Sequence, residues 1–357
     1  VSFRPTRIEK EIDLVYLELL VTAVLAAHLL AMNVASAGPL VAAALWPRDR
    51  AAADAKGALS TQLTSASLAA LIVGIVLGGA LLVVPSPGVR AALARFPASL
   101  YWFAGTELLF SAICMSLLLA LLRRKVVGPW GAWVLAFMTS LNLLYHFPPL
   151  MAVFGELAAN PAWAPAGQID HAAMLRLWAR PEILALWVHF TLAAIATAAV
   201  YALWILHRRP APPLTASQND AGPDRRSRRL ATAALAATLL QIPVGVWLVV
   251  VSADSVRSSI LGGSLAPSVL FLSGMVATFV LLQSLVQLAC GDQTLAATRR
   301  AAWLLVAIVV LMTGTLRTSR LRADHRTAGG ADVRAAGQGR GAATSPRPLL
   351  PLASPFL

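Results

Sequence analysis

The stretch TAVLAAHLLAMNVASAGPLVAAALW, residues 22–46, contains 25 consecutive residues with no Asp, Glu, Lys or Arg and a single histidine at its heart. At about 1.5 Å per residue it is long enough to cross the roughly 30 Å hydrocarbon layer of a bilayer as one helix. Working outward, the pattern repeats along the 357 residues: 58% are hydrophobic, 13% are charged, and the mean hydropathy is +0.71. A soluble domain carries about a quarter charged residues, so this chain cannot clothe a globular surface. Its charges are segregated into short arginine-rich stretches between apolar runs. The composition predicts an integral protein of the lipid bilayer.

Eight apolar windows have spanning character: residues 14–46, 58–84, 98–122, 130–156, 182–206, 230–252, 265–289 and 301–316. Pro47, Pro85, Pro87, Pro97, Pro129, Pro181 and Pro210 are expected to punctuate them. Gly74 and Gly78 in the second span have the GxxxG spacing that lets a neighbouring helix approach closely. Four regions follow: residues 1–206, a five-helix membrane region; 207–229, a polar, proline-containing connector; 230–316, a three-helix membrane region; and 317–357, a basic tail without periodicity, expected to be disordered.

The net charge of +13 comes from 29 Lys and Arg against 16 Asp and Glu. The connections after spans one, three, five and seven hold fourteen of these cations, whereas the N-terminus and the connections after spans two, four and six hold eight. The positive-inside rule therefore puts the N-terminus outside, although Arg317, Arg320 and Arg322 after span eight argue the other way. The charge is explained by topology and predicts no nucleic-acid binding. The two cysteines, Cys114 and Cys290, exclude a disulfide scaffold, a four-thiolate zinc site and a covalently attached c-type haem.

Polar groups at membrane depth are costly and tend to mark function. His28, His146 and His189 lie deep in spans one, four and five, Glu107 is the acid well inside a span, and Met275 lies in span seven. Measured along the helices, all five fall in one half of the bilayer. Imidazole and thioether sulfur are axial ligands for haem iron, and a haem between helices takes one ligand from each of two facing helices. His with Met or His with His at one depth is that arrangement, and helices one and four side by side would bring His28 to His146. A membrane histidine also serves simply to hydrogen-bond a carbonyl, and a membrane methionine to fill space. Asn142 stands four residues before His146 and so on the same helix face, able to orient its ring or to bridge helices.

These residues resemble subunit I of the cytochrome bd-type quinol oxidases. Residues 22–46 are similar to that family's first helix, with His28 at a haem-ligand position. YWFAGTELLFSAICMSLLLALLRRK (101–125) is similar to the third, with Glu107 at a glutamate associated with haem and proton entry. LAFMTSLNLLYHFPPLMAVFGELAANPAWAP (135–165) resembles the fourth helix and its exit, and ARPEILALWVHFTLAAIATAAVYALW (179–204) the fifth, with His189 at a ligand position of the low-spin haem b. LFLSGMVATFVLLQSL (270–285) can be aligned with helix seven so that Met275 takes the place of the second ligand. The quinol-contact loop is reduced here to residues 253–264, the last family helix has no counterpart, and His146 is not a family ligand position.

The expectation is thus an all-α polytopic membrane protein of about eight transmembrane helices in two four-helix bundles. The resemblance implies one or two haem b groups held by His28, His146, His189 and Met275, with Glu107 in a proton or catalytic role. It implies a bacterial inner-membrane cytochrome that relays electrons near the outer face, with a periplasmic c-type cytochrome or another respiratory subunit as partner. The rival readings are a reduced quinol:dioxygen oxidoreductase and a haem-free structural or transport subunit.

Overall fold

The structure, a computed structural model, describes the backbone of residues 7–49, 58–84, 86–208, 223–291 and 294–341. Among these residues there are eleven α-helices and no strand. Eight are long and apolar enough to cross a membrane: α1 (Arg7–Asp49), α2 (Leu59–Val83), α4 (Ala98–Arg123), α5 (Pro129–Ala159), α7 (Pro181–His207), α8 (Pro223–Val251), α10 (Leu265–Cys290) and α11 (Leu295–Gly341). Three short helices, α3 (Pro87–Ala94), α6 (His171–Trp178) and α9 (Asp254–Ser258), lie in connections at the end of the bundle where α1 begins, the near end. The far end carries the arginine-rich connections.

Helices are the outcome because lipid offers the backbone no hydrogen-bond partner, so each segment must satisfy its own N–H and C=O groups. The side chains then divide by neighbour. Val76, Val83 and Leu265 are largely exposed on the outer faces, where lipid replaces water, while Tyr16 and Trp102 at the near end and Trp130 and Trp303 at the far end form exposed aromatic girdles.

Helices α1, α2, α4 and α5 pack in a closed ring, each on the next and α5 back on α1. Helices α7, α8, α10 and α11 form a second ring, with α11 closing on α7. The two four-helix bundles meet where α1 packs on α7 and α11, and α5 on α7.

The boundaries differ from expectation in four places. Pro47 closes span one, which covers Val15–Pro47, but it does not break the helix: α1 runs through both Pro39 and Pro47 to Asp49. A proline is tolerated within a membrane helix when neighbours cover the carbonyls it frees, and beside Pro47 the buried Trp46 ties the helix to the Val127 carbonyl at 3.1 Å. The connector is shorter than 207–229, because α8 already begins at Pro223. Its first turns pack against α7, with Ser227 buried and meeting His207 at 3.1 Å. Span eight is longer than 301–316: the apolar helix covers Leu295–Arg320. Its backbone stays helical to Gly341, well into the segment expected to be aperiodic, and residues 342–357 of that tail lie outside the described residues.

Bundle one is layered. A far-end cluster joins Ala43 and Trp46 of α1 to Leu118 and Leu122 of α4 and Ala132 and Ala136 of α5. Next come Met32, Leu71, Met115 and Leu143, one from each helix of the ring. Beyond them is a polar layer, and over the near end sits an apolar cap in which Ala92 of α3, Met174 and Leu177 of α6 and the loop residue Ile169 pack on Leu150, Val153 and Leu157 of α5. Arg95 holds the cap loop by donating to the carbonyls of Gly167 at 2.6 Å, Pro161 at 3.2 Å and Pro165. Ser86 and Asp170 cap α3 and α6 by accepting from Val89 and Ala173.

Candidate functional site

The polar layer of bundle one is built from α1, α2, α4 and α5. One turn from Met32 on the same face of α1, His28 places its Nδ1 2.8 Å from the Gly74 carbonyl of α2. A carbonyl only accepts, so Nδ1 carries the proton and Nε2 is the bare nitrogen. The ring lies flat against the glycine pair: a Cβ on Gly78 would stand 2.9 Å from His28 Cε1, and one on Gly74 2.4 Å from Met32 Sδ. The GxxxG spacing of α2 thus admits His28 and Met32 of α1, which are themselves four residues apart.

Across the ring, Asn142 of α5 donates through Nδ2 to the Glu107 carbonyl and approaches the Ser111 hydroxyl, both at 2.8 Å on α4. That orientation turns its Oδ1 to His146 Nδ1, again at 2.8 Å. His146 is thereby held with its proton on Nδ1 and with Nε2 bare, the same tautomer as His28. The Glu107 carboxylate lies 3.8 Å from His146 Nδ1. Phe103 and Tyr145 meet the imidazole edge-on at 5.2 and 5.0 Å, and Tyr145 in turn meets Trp178 and Trp187 at 5.5 and 5.6 Å.

His189 of α7 is enclosed at the junction of the bundles, and its Nδ1 is buried without a hydrogen-bond partner. Two interhelix contacts give its level. Trp187 donates to the Leu144 carbonyl at 2.5 Å, and Asn33 approaches Thr197 at 3.5 Å. Counting along the helices from these contacts, His146 stands level with residue 185 of α7, Glu107 with 189 and His28 with 192, a spread of about 10 Å around His189. The three histidines and Glu107 do occupy one slab of the protein.

The expected pairings fare differently from the expected level. Helices α1 and α5 pack side by side. His28 nevertheless leans on α2 and His146 on the α4 side, and among the described residues no hydrogen bond joins them. Helices α7 and α10 stand at opposite corners of bundle two. Met275 on α10 is 40% exposed, while its neighbour Gly274 faces Met312 of α11. Among the described residues no cluster of three or more His, Cys, Asp or Glu side chains comes together.

Several contributors were invisible along the chain. Ser111 is one turn beyond Glu107, a spacing that could have been noticed. Trp187 has a subtler signal: Pro148 has no N–H to give the Leu144 carbonyl four residues back, and the freed carbonyl is the one Trp187 takes. At the near end, Arg317 of α11 pairs with Glu18 of α1, and Arg320 with Glu156 of α5. These cations are neutralised within the protein, which weakens the topological objection they raised.

No protein-family model, curated protein or solved structure matches this chain.

Proposed function

We propose that this chain is a haem b membrane cytochrome that relays electrons close to the near end of the bundle, with His28, His146 and His189 as the histidine ligands. The reading rests on one observation above all: His28 and His146 each commit the Nδ1 proton to a carbonyl-type oxygen and leave Nε2 bare. A histidine that ligates a metal is usually held in this way, its other N–H fixed by an acceptor. The Nδ1 of His189, buried without a hydrogen-bond partner, fits the same group.

Haem b, when bound, supplies a one-electron iron couple. The chain's own residues do the rest. Gly74 and Asn142 fix the two ring orientations, and Phe103, Tyr145, Trp178 and Trp187 screen His146 on the side of the cap. Glu107 is near enough to exchange a proton when the local charge changes. The cap and the near-end surface then present the partner side, for which a periplasmic c-type cytochrome is the proposed acceptor or donor.

The test is the dithionite-reduced minus oxidised absorbance spectrum of the purified protein, with pyridine haemochrome quantification. A b-type α band at one or two haems per chain supports the proposal. Haem-free protein, purified from haem-replete cells, overturns it in favour of a structural or transport subunit. Carbon monoxide binding by the reduced protein would replace the relay with a quinol:dioxygen oxidoreductase.

A further inference from the structure

At the far end of bundle one, away from the histidine layer, α2 and α4 border an open groove of about 560 Å³ lined by Thr61, Gln62, Ser65, Ala66, Ala69 and Arg123. The hydroxyl and amide groups belong to the first two turns of α2, the guanidinium to the last residue of α4, and the alanines lead from them toward the lipid-facing residues Ile72, Val73 and Val76. The groove therefore has a polar head at the level of the bilayer surface and an apolar exit along the hydrocarbon.

Two observations point to an occupant. Thr61 is only 3% exposed, lines the groove, and has no hydrogen-bond partner for its Oγ1. A buried hydroxyl left without a partner costs about 1–3 kcal/mol, so an acceptor brought within reach of Thr61 would be stabilised by it. Arg123 is the second. Arg317 and Arg320 at the near end are matched by Glu18 and Glu156, whereas Arg123 has no carboxylate partner among the described residues and is followed directly by Arg124 and Lys125.

We infer that this groove binds the phosphodiester headgroup of an anionic glycerophospholipid, with Arg123 and Thr61 donating to its oxygens and an acyl chain running along Ala66 and Ala69. A phosphodiester is acceptor-only and matches a guanidinium fork and a hydroxyl donor. Basic pockets between helices at an arginine-rich membrane surface are suited to such headgroups.

The test is native mass spectrometry of the delipidated full chain in detergent, titrated with dioleoyl phosphatidylglycerol. Phosphatidylcholine, inorganic phosphate and a short-chain ubiquinone serve as comparison ligands. The expected result is a saturable one-to-one adduct with phosphatidylglycerol, weakened about tenfold by Arg123→Gln and about threefold by Thr61→Val, but unchanged by Arg124→Gln. Thr61→Val also separates a lost contact from a lost fold, because removing an orphaned hydroxyl should raise the melting temperature of the lipid-free protein while weakening the lipid. Equal binding of phosphatidylcholine, displacement by inorganic phosphate or by the quinone, or equal loss in all three variants would overturn the assignment.

Discussion

Asn142 decides which nitrogen of His146 carries the proton. Its Nδ2 must face the Glu107 carbonyl, which can only accept, so its Oδ1 is left for His146 Nδ1, each contact being 2.8 Å. The imidazole is thus oriented from α4 by way of α5, and its Nε2 is kept free of any proton.

Replacing Asn142 by Leu is expected to destabilise the protein by about 1–3 kcal/mol, the cost of stranding buried polar partners at Ser111 and His146. Asn142→Asp should not restore stability, because it sets a carboxylate oxygen against the Glu107 carbonyl. Thermal unfolding in detergent measures both, and full stability in the Asp variant would show that the donated N–H is dispensable.

The glycine pair of α2 gives a graded series. Gly74→Ala puts a methyl group 2.4 Å from Met32 Sδ, and Gly78→Ala puts one 2.9 Å from the His28 ring, whereas a Cβ on Gly79 meets nothing within 4 Å. The first two substitutions should lower the melting temperature and the third should leave it unchanged. Met32→Ala should recover part of the loss in Gly74→Ala, since the obstructing atom is then gone. A cost for Gly79 equal to that for Gly74 would mean that helix propensity, not close approach, governs this face.

The near-end ion pairs bind α11 of bundle two to both α1 and α5 of bundle one. Glu156→Arg should destabilise by pressing a second cation on Arg320. The exchanged pair, Glu156→Arg with Arg320→Glu, should recover stability by more than about 0.5 kcal/mol relative to additivity. A double-mutant cycle on chemical unfolding in mixed micelles provides the measurement, and strict additivity would remove the pair from the account of how the bundles dock.

His189→Ala is expected to lose one haem per chain, read by pyridine haemochrome. Unchanged haem content and spectrum in His189→Ala would eliminate this histidine as a ligand.

Glu107→Gln keeps the shape of the side chain and removes its proton exchange. In the haem-loaded protein the dependence of midpoint potential on pH should flatten, measured by redox titration as a function of pH. An unaltered slope would assign the coupled proton to another group.

The class of molecule is legible along the chain. Lengths of apolar run and the placement of arginine are one-dimensional quantities, and lipid leaves the backbone no alternative to helix, so all eight expected spans are present, the last of them longer than its apolar window. The level of His28, Glu107, His146 and His189 is legible there too, because depth along a helix is residue number times a fixed rise. Rotation about the helix axis and the choice of neighbour are not. Each span is apolar nearly all round, so no polar face tells which side turns inward. Only packing decided that His28 would lean on the glycines of α2 and that Asn142 would bridge α4 to His146. Packing also set α10 diagonally across its bundle from α7 and set Arg317 and Arg320 against acids far away in the chain. The reason is physical: these contacts depend on the mutual fit of four helices at once, through side-chain volumes and single hydrogen bonds, and that fit exists only once the ring has closed.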